Sequence, residues 1–342
     1  MKSSPGPGSC LARRVVFPEP GRVELEELAV DLDGLGAHEV VVCARRSVIS
    51  PGTELAHYRG DPHAGVLSHA RPVGEPFHPG YAMAATVVAA GAECGLAIGT
   101  EVLAHTPHQS LARFDTRRRV CVPTPPGLTA DAVPFGRLVQ VGAVSLQLAT
   151  AQPGDLVAVV GLGPVGNLVA QLAQSCGYRV VAVERSPGRR ELAARCGLRQ
   201  VVEPAAGRDA VGPGASLVLE CSGSQHGVIL ATELCQPHAE VFTVGAPWRP
   251  EPEVAASSVV ARVFEQFLAL RSGWEWQVPL HGVGRSIASC TRWVLDVLAA
   301  AGVVTAPLVS GRLAPAEAAT AYHRLDEDPE HHFTFLLDWE AS

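Results

Sequence analysis

The stretch that decides the fold is residues 159–166, which read Val-Val-Gly-Leu-Gly-Pro-Val-Gly. It contains the spacing Gly-x-Gly-x-x-Gly. The apolar run 156–160 leads into it, and residues 165–175 behind it have helical periodicity. A strand, a glycine turn and a helix in this order are typical of a dinucleotide-binding βαβ unit, whereas the glycine spacing alone is a weak signal.

Each glycine of the motif has a separate physical task. Gly161 permits the tight turn, Gly163 lets the backbone approach a pyrophosphate, and Gly166 lets the helix pack closely on the strand. The helix that follows offers unpaired N–H groups to the phosphates, so Pro164 and Val165 in its first turn are further candidate cofactor contacts.

An acidic residue after the next strand bears on the choice of cofactor. Glu184 follows the predicted strand 179–183 and would accept hydrogen bonds from both ribose hydroxyls of an adenosine, which favours NAD. Arg185, Arg189 and Arg190 come directly afterwards and could instead neutralise a 2′-phosphate. The sequence therefore predicts NAD and leaves NADP open.

The pattern of strands and helices divides the chain. Residues 1–11 are predicted to be a disordered lead, and residues 12–130 read as short β-branched runs between Gly, Pro and Asp turns. Strands alternate with helices over 131–280, which predicts a doubly wound parallel sheet and an α/β fold class. Residues 281–342 read as two helices and a final strand, and the proline-rich stretch 60–80 reads as a long loop.

Two later strands of the alternating region add candidate cofactor contacts. The runs 216–219 and 240–244 are short and apolar, as expected of buried parallel strands. Because ligands of such sheets bind beyond the carboxyl ends of the strands, Cys221 and Gly245 are candidate cofactor contacts.

Composition excludes several classes of function. The net charge is −7, from 27 basic and 34 acidic residues, which disfavours a nucleic-acid groove. Lys2 is the only lysine, so a Schiff-base or P-loop lysine is not expected. The longest uncharged run, 156–178, is broken by glycines and polar residues, so no membrane span is predicted. No N-terminal run has the pattern of a secretion signal.

The nine cysteines fit the same picture. Their number is odd and none forms a C-x-x-C pair, so neither a disulfide framework nor a ribbon-type zinc site is expected. Scattered cysteines of this kind are typical of small buried side chains in a reducing compartment. A cytoplasmic location is therefore predicted.

Five short elements carry a family resemblance. They are Gly-Thr-Glu at 52–54, Pro-Gly-Tyr at 79–81, Gly-Thr-Glu-Val at 99–102, Pro-Gly-Asp at 153–155 and the glycine motif at 161–166. In this order and spacing the chain resembles the medium-chain dehydrogenase/reductase family, the alcohol dehydrogenase superfamily, over nearly its whole length. The resemblance implies a GroES-like β-rich catalytic domain, a Rossmann cofactor domain and a C-terminal return to the catalytic domain.

The chain departs from the zinc-dependent members it resembles. They carry a Cys where this chain has Pro51 and a zinc-binding His where it has Tyr81. Residues 132–154 lack the further expected Cys, and residues 101–119 lack the four cysteines of a structural zinc loop. The sequence therefore predicts no metal. It is similar to a zinc-independent branch that includes bacteriochlorophyllide dehydrogenase-like and secondary-metabolite oxidoreductases.

Without a metal, side chains must stabilise the charge that hydride transfer leaves on the substrate oxygen. The resemblance directs Tyr81 at the cleft as a hydrogen-bond donor, with Glu54 as its support and Thr53 at the position of a proton relay. His105 and His108 are candidates for exchanging the proton, because histidine titrates near neutral pH. Filling of the metal's place by Tyr81 and turn capping by Thr53 or Glu54 remain alternatives.

Two further pairs are candidates for binding the substrate. Arg137 and Gln140 lie on the helix before the cofactor domain, which borders the cleft in the family. Trp274 and Trp276 would present both rings on one face of a strand. In the family that region is the sheet edge that pairs between subunits, so dimer contact, substrate wall and ordinary core all remain open, and a homodimer is predicted.

The function that follows is a zinc-independent NAD(P)-dependent oxidoreductase. The expected reaction is alcohol–ketone interconversion on a polar, hydroxylated small molecule such as a sugar, a cyclitol or a biosynthetic intermediate. A quinone or enone reductase is the first alternative. A catalytically silent nucleotide-binding sensor or structural subunit is the second.

Overall fold

The computed structural model describes residues 8–64, 75–282 and 284–341. The described residues of the N-terminal part are mostly β, with a helix after the third strand. The elements are β1 (Ser9–Val16), β2 (Glu24–Asp31), β3 (Glu39–Val48), α1 (Pro51–Arg59), β4 (Met83–Ala90), β5 (Glu101–Ala104), β6 (Leu111–Asp115) and β7 (Cys121–Pro123). Strands β1 and β2 form an antiparallel hairpin.

The middle of the chain alternates strands with helices. Its elements are α2 (Phe135–Leu148), β8 (Leu156–Val160), α3 (Pro164–Ser175), β9 (Arg179–Val183), α4 (Pro187–Arg195), β10 (Val201–Val202), α5 (Gly207–Val211), β11 (Ala215–Glu220), α6 (Gln225–Glu233), β12 (Cys235–Thr243), α7 (Ala256–Gln266) and β13 (Ala269–Ser272). The described strands form a six-stranded parallel sheet in the order β10-β9-β8-β11-β12-β13. This is the doubly wound order of a dinucleotide-binding fold, with its switch point between β8 and β11.

The last elements return to the first sheet. They are α8 (Ile287–Ala299), β14 (Val309–Leu313), α9 (Ala318–Glu327) and β15 (Thr334–Asp338). Strand β15 pairs with β3, so that the mixed sheet reads β14-β15-β3-β4-β5-β7 with β6 also on β3. The predicted α/β class, a GroES-like β-rich part plus a Rossmann sheet, is confirmed.

Helix α2 joins the two parts of the molecule. Phe135 and Leu138 are fully buried in one apolar cluster with residues of α3, α8 and the parallel sheet. Gly142 allows close approach to α3, because a Cβ there would lie 2.7 Å from the Cβ of Val169. Residues on α2 are therefore placed rigidly beside the cofactor sheet.

The sequence predicts a disordered N-terminal lead and a long loop at residues 60–80. The predicted disordered lead, 1–11, is wrong at its end, because Ser9 already begins β1 and its neighbours pair with β2 in register. Residues 1–7 and the middle of the predicted loop 60–80, namely 65–74, lie outside the described residues. Within the described residues, no helix combines the length and apolar character needed to cross a membrane.

Candidate active site

The glycine motif forms a narrow crevice at the carboxyl edge of the parallel sheet. Gly161 has a φ of 86°, and a Cβ there would lie 2.7 Å from the backbone nitrogen of Ser222. A Cβ on Gly166 would overlap the carbonyl oxygen of Gly161 and lie 3.0 Å from the Cβ of Cys221. A Cβ on Gly163, in contrast, would meet nothing within 4 Å. Two glycines thus permit close packing, and the third faces open space.

The neighbouring strand ends complete the crevice. The backbone nitrogen of Cys221 donates to the carbonyl of Val160 over 2.8 Å, which holds the β11 turn against the end of β8. A side chain on Gly245 would overlap the backbone of Gly223. Pro164 and Val165 form the first turn of α3. The structure therefore brings these sequence-predicted cofactor residues together at one edge.

Glu184 is buried and holds the glycine turn. Its two carboxylate oxygens accept hydrogen bonds from the backbone nitrogens of Leu162, at 2.6 Å, and Ser186, at 2.9 Å. The hydroxyl of Ser186, which caps α4, donates to the carboxylate of Glu330 from the C-terminal region. Two acidic side chains therefore lie where the sheet order places an adenosine ribose.

The arginines after Glu184 have structural partners. Arg190 donates to the carbonyls of Glu184 and Arg185, and Arg189 donates to the carbonyl of Pro329 over 3.2 Å. The side chain of Arg185 is exposed. Two of the three candidate 2′-phosphate ligands are thus engaged with the chain itself.

These residues fit a dinucleotide. The open space above Gly163 is what a pyrophosphate needs, and α3 begins there with free backbone N–H groups. Gly161, Gly163, Pro164 and Val165 would hold the phosphates, and Glu184 would face the ribose. When bound, a nicotinamide supplies or accepts a hydride.

Tyr81 lies in a buried polar cluster next to this edge. Its hydroxyl donates to the hydroxyl of Ser50, the residue that precedes α1. The guanidinium carbon of Arg137 lies 4.9 Å from the centroid of the Tyr81 ring, in a cation–π contact. Burial raises the pKa of the Tyr81 phenol, so it stays protonated at neutral pH, with its one proton on the hydrogen bond to Ser50.

Arg137 is the centre of the cluster. It is 5% exposed and donates to the side-chain oxygen of Gln140 over 2.6 Å and to the carboxylate of Glu275. Glu275 follows β13 on the cofactor edge of the sheet. Burial and the Arg137 charge hold the pKa of His105 well below its usual range, so its imidazole is neutral at physiological pH.

The predicted pairing of Glu54 with Tyr81 is wrong, because Glu54 uses its oxygens elsewhere. One oxygen accepts from the backbone nitrogen of Ser50 at 2.7 Å. The other accepts from His108 at 3.0 Å and from the hydroxyl of Tyr322 at 2.5 Å. Glu54 and His108 are both fully buried. The two predicted proton-exchange histidines are thus separated in role: His105 faces Arg137, whereas His108 holds Glu54.

Thr53 lies in the first turn of α1 and is half-buried. It follows Pro51, which suits the first helical position because its missing N–H would have no partner there. Its role as a proton relay stays a prediction.

The tryptophan pair does not lie in a strand. Strand β13 ends at Ser272, and a short 3₁₀ turn covers Glu275–Gln277. The side chain of Glu275 turns inward to Arg137, which leaves Trp274 43% and Trp276 55% exposed. The expectation that both rings share one face of a strand is therefore wrong, although both do face outward.

Sequence reasoning missed three residues of the site region: Ser50, Glu275 and Tyr322. Glu275 carried a signal, since it is a single acidic residue between two tryptophans. Tyr322 carried none, because it meets Glu54 across 268 positions of sequence.

The cluster does not fit a zinc ion. Its side chains are Ser50, Tyr81, His105, Arg137, Gln140 and Glu275, of which only His105 and Glu275 are of a type that binds zinc, whereas a catalytic zinc site has three protein ligands. Across the described parts of the chain, no group of three or more His, Cys, Asp or Glu side chains is placed to hold a metal.

Comparisons with known proteins agree with this architecture. Residues 164–269 match the family model described as zinc-binding dehydrogenase. L-galactonate-5-dehydrogenase of Escherichia coli K12 is 33% identical over 126 residues, which cover 35% of this chain and 37% of that protein. The matches to this enzyme and to two putative D-xylulose reductases, of Agrobacterium fabrum and Rhizobium meliloti, span about two fifths of the length of those proteins.

Solved structures resemble the whole chain. Galactitol-1-phosphate dehydrogenase of Escherichia coli superposes with a TM-score of 0.80 at 18% identity, over 95% of this chain and 99% of that one. A short chain alcohol dehydrogenase of Escherichia coli CFT073 in complex with NADH gives a TM-score of 0.74 at 16% identity, over 96% and 99%. These likenesses establish the fold. Sequence matches and fold together support the medium-chain dehydrogenase/reductase superfamily, which is the alcohol dehydrogenase superfamily, for this chain.

Proposed function

We propose that this protein is a zinc-independent NAD(P)-dependent oxidoreductase that interconverts an alcohol and a ketone on a polar, hydroxylated small molecule. The observation that carries the proposal is the contact between Glu275 and Arg137. Glu275 belongs to the same sheet edge as the glycine crevice, so this contact joins the cofactor edge to a buried cluster of polar side chains.

Each part of the cluster has a chemical task in this reaction. The substrate oxygen gains negative charge when its carbon receives a hydride, and a hydrogen-bond donor must face it. Tyr81 is half-buried and protonated, and its hydroxyl, which donates to Ser50, can turn to a substrate oxygen. Tyr81 would donate to the oxygen, and His105 would bind a second polar group of the substrate.

NAD is the proposed cofactor. Glu184 and Glu330 place two carboxylates near the expected adenosine ribose, where they would repel a 2′-phosphate. Arg189 and Arg190, which could have offset that repulsion, donate to backbone carbonyls instead.

A sugar or polyol is the proposed substrate class. L-galactonate-5-dehydrogenase and galactitol-1-phosphate dehydrogenase are named for such substrates. The cluster supports the same class, because buried donors and acceptors of Arg137, Gln140 and His105 match a ligand with several hydroxyls.

The proposal is tested with protein purified without chelator. Elemental analysis should find no stoichiometric zinc, and titration should show NADH binding more tightly than NADPH. Turnover should appear in a panel of polyols and ketoses and should survive chelator treatment. One zinc per chain with activity lost on chelation would overturn zinc independence. NADH binding without turnover on any polyol, ketone or enone would favour the silent-subunit alternative.

We further propose that the protein is a homodimer in a reducing cytoplasm. All nine cysteines lie in the described residues and are free thiols, which a reducing compartment maintains. The edge of the parallel sheet carries a group of large apolar side chains that are at least 43% exposed: Val260, Phe264, Phe267, Leu270, Trp274 and Trp276. An exposed apolar sheet edge is an aggregation hazard unless a partner covers it.

Leu270→Glu should therefore convert the dimer to a monomer. Leu270 lies on the edge strand β13, and an acidic side chain there would be buried without a partner in a dimer. Light scattering at micromolar concentration measures the outcome. Ile98→Glu is the matched control, since Ile98 is 69% exposed outside the parallel sheet. A wild-type monomer, or a Leu270→Glu dimer, would contradict the assignment.

A further inference from the structure

The Arg137 guanidinium is buried and only partly used. It is fixed from three sides, by the Tyr81 ring at 4.9 Å, by Gln140 and by Glu275. A guanidinium has five N–H donors, of which the recorded contacts engage one on each terminal nitrogen. Its Nε is buried and has no hydrogen-bond partner among the described residues. Three N–H groups therefore remain for a ligand.

Gln140 and His105 each have a buried nitrogen that could also form a hydrogen bond with a ligand. The Nε2 atoms of Gln140 and His105 are also buried, and in the part of the chain that the structure describes they have no hydrogen-bond partner. Gln140 already gives its oxygen to Arg137, so its nitrogen can only donate. Leaving a buried polar group unpaired is unfavourable. Three such groups around one charge indicate a binding site for the oxygen atoms of a ligand.

The cluster around Arg137 is neutral before substrate binds, so it can accept a transient negative charge. Glu275 pairs with Arg137, and their side chains are only 6% and 7% exposed, so the resting cluster holds no net charge. A guanidinium keeps its proton throughout the physiological pH range. It can therefore stabilise an oxyanion without a metal, in surroundings where water screens little.

We infer that Arg137 performs the electrostatic task that a metal ion has in zinc-dependent relatives: it binds the substrate oxygen and stabilises the negative charge that develops there. The inference rests on the proposed function. In reduction, a bound nicotinamide would supply a hydride with its electron pair to the carbonyl carbon. The substrate oxygen would take one proton from the Tyr81 hydroxyl once that hydroxyl turns from Ser50, and the phenolate would regain a proton from water. Arg137 stays protonated and holds the oxygen throughout.

The test uses a double variant, Arg137→Met with Glu275→Gln, because Arg137→Met alone would leave the buried Glu275 carboxylate without its positively charged partner. Arg137→Lys keeps the positive charge but loses the planar fork. Arg292→Met is the matched control, since Arg292 is exposed on α8. All three variants should bind NADH within about twofold of wild type, because the glycine crevice is unchanged.

Acetate binding tests, independently of turnover, whether the cluster around Arg137 binds an anion. The acetate carboxylate mimics a developing oxyanion, and isothermal titration calorimetry measures its binding. Wild type and Arg292→Met should bind acetate in the presence of NAD. The double variant should lose at least tenfold in affinity, and Arg137→Lys should fall between.

Turnover gives the second readout. On the best polyol or ketose found for wild type, kcat of the double variant should fall by about 10²–10³, as for loss of an aligned donor at developing charge. Arg137→Lys should restore at least about tenfold of that loss. Unchanged acetate affinity and unchanged kcat in the double variant would overturn the role of Arg137 while leaving the proposed function intact. Absence of turnover in wild type would overturn the proposed function, and the acetate titration would still decide whether Arg137 binds an oxyanion.

Discussion

Replacing Gly166 with Ala is expected to abolish measurable NADH binding and to lower the free energy of unfolding by about 1–3 kcal/mol, the usual cost of forcing an extra methyl group into a packed core. The new Cβ would overlap the carbonyl oxygen of Gly161 and crowd the Cβ of Cys221. Neither neighbour can yield easily. Gly161 is in a turn with positive φ, and the Cys221 backbone is hydrogen-bonded to β8.

Gly163→Ala is the matched variant that separates folding from binding. Its Cβ would meet nothing within 4 Å, and Gly163 has a φ of −58°, which any residue adopts. Its stability should stay within about 0.5 kcal/mol of wild type, as for substitutions away from packed features. The methyl group would nevertheless fill the space left for a pyrophosphate, so NADH affinity should fall.

Chemical denaturation and NADH titration of both variants check this pair of expectations. Loss of stability in Gly166→Ala alone, with loss of affinity in both, would support the crevice as a phosphate cradle. Wild-type affinity in Gly163→Ala would show that the open space is not where the dinucleotide binds.

The cofactor half of the molecule could be predicted from sequence because its signals are local. Strands β8 and β9 begin and end at the predicted residues, since each is a short apolar run bounded by a glycine turn or a charged residue. Strand β12 was harder. It begins at Cys235, five residues before the predicted run, because its first half contains Pro237 and pairs irregularly with β11.

The candidate site could be predicted only in part, because its contacts are long-range. Tyr81 and Arg137 were named separately, but no local pattern places a guanidinium on a ring 56 positions earlier in the chain. Glu275 was overlooked because the tryptophans beside it dominate the segment. The ion pair with Arg137 pulls Glu275 inward, and this contact, not strand periodicity, sets which way the tryptophans face.

Glu54 shows most clearly how a buried partner changes an interpretation. By resemblance it should support a side chain in the cleft. In the structure it accepts hydrogen bonds from Ser50, His108 and Tyr322, while His108 in turn contacts the Ser47 hydroxyl at 2.8 Å. This network joins α1 to α9 and the first sheet, so Glu54 is expected to act mainly through stability.

Glu54→Ala should lower the free energy of unfolding by about 3–5 kcal/mol, the cost of breaking a buried charged network. It would leave three buried donors, on Ser50, His108 and Tyr322, without their acceptor. Tyr322→Phe removes one donor and leaves the other two paired, so it should cost only about 1–2 kcal/mol. Thermal and chemical unfolding measure both values.

Glu19→Ala provides the matched control for loss of a carboxylate. Glu19 is exposed and pairs with Arg22 at 3.3 Å on the surface, where such a pair contributes about 0–1 kcal/mol. Its variant should therefore unfold like wild type. If Glu54→Ala kept wild-type stability and instead lost turnover with NADH affinity unchanged, the carboxylate would have to act on the chemistry at Tyr81 rather than on the fold. From least to most stable, the order should be Glu54→Ala, Tyr322→Phe and Glu19→Ala, because the first leaves three buried donors unpaired, the second removes one buried hydrogen bond and the third removes only a surface ion pair.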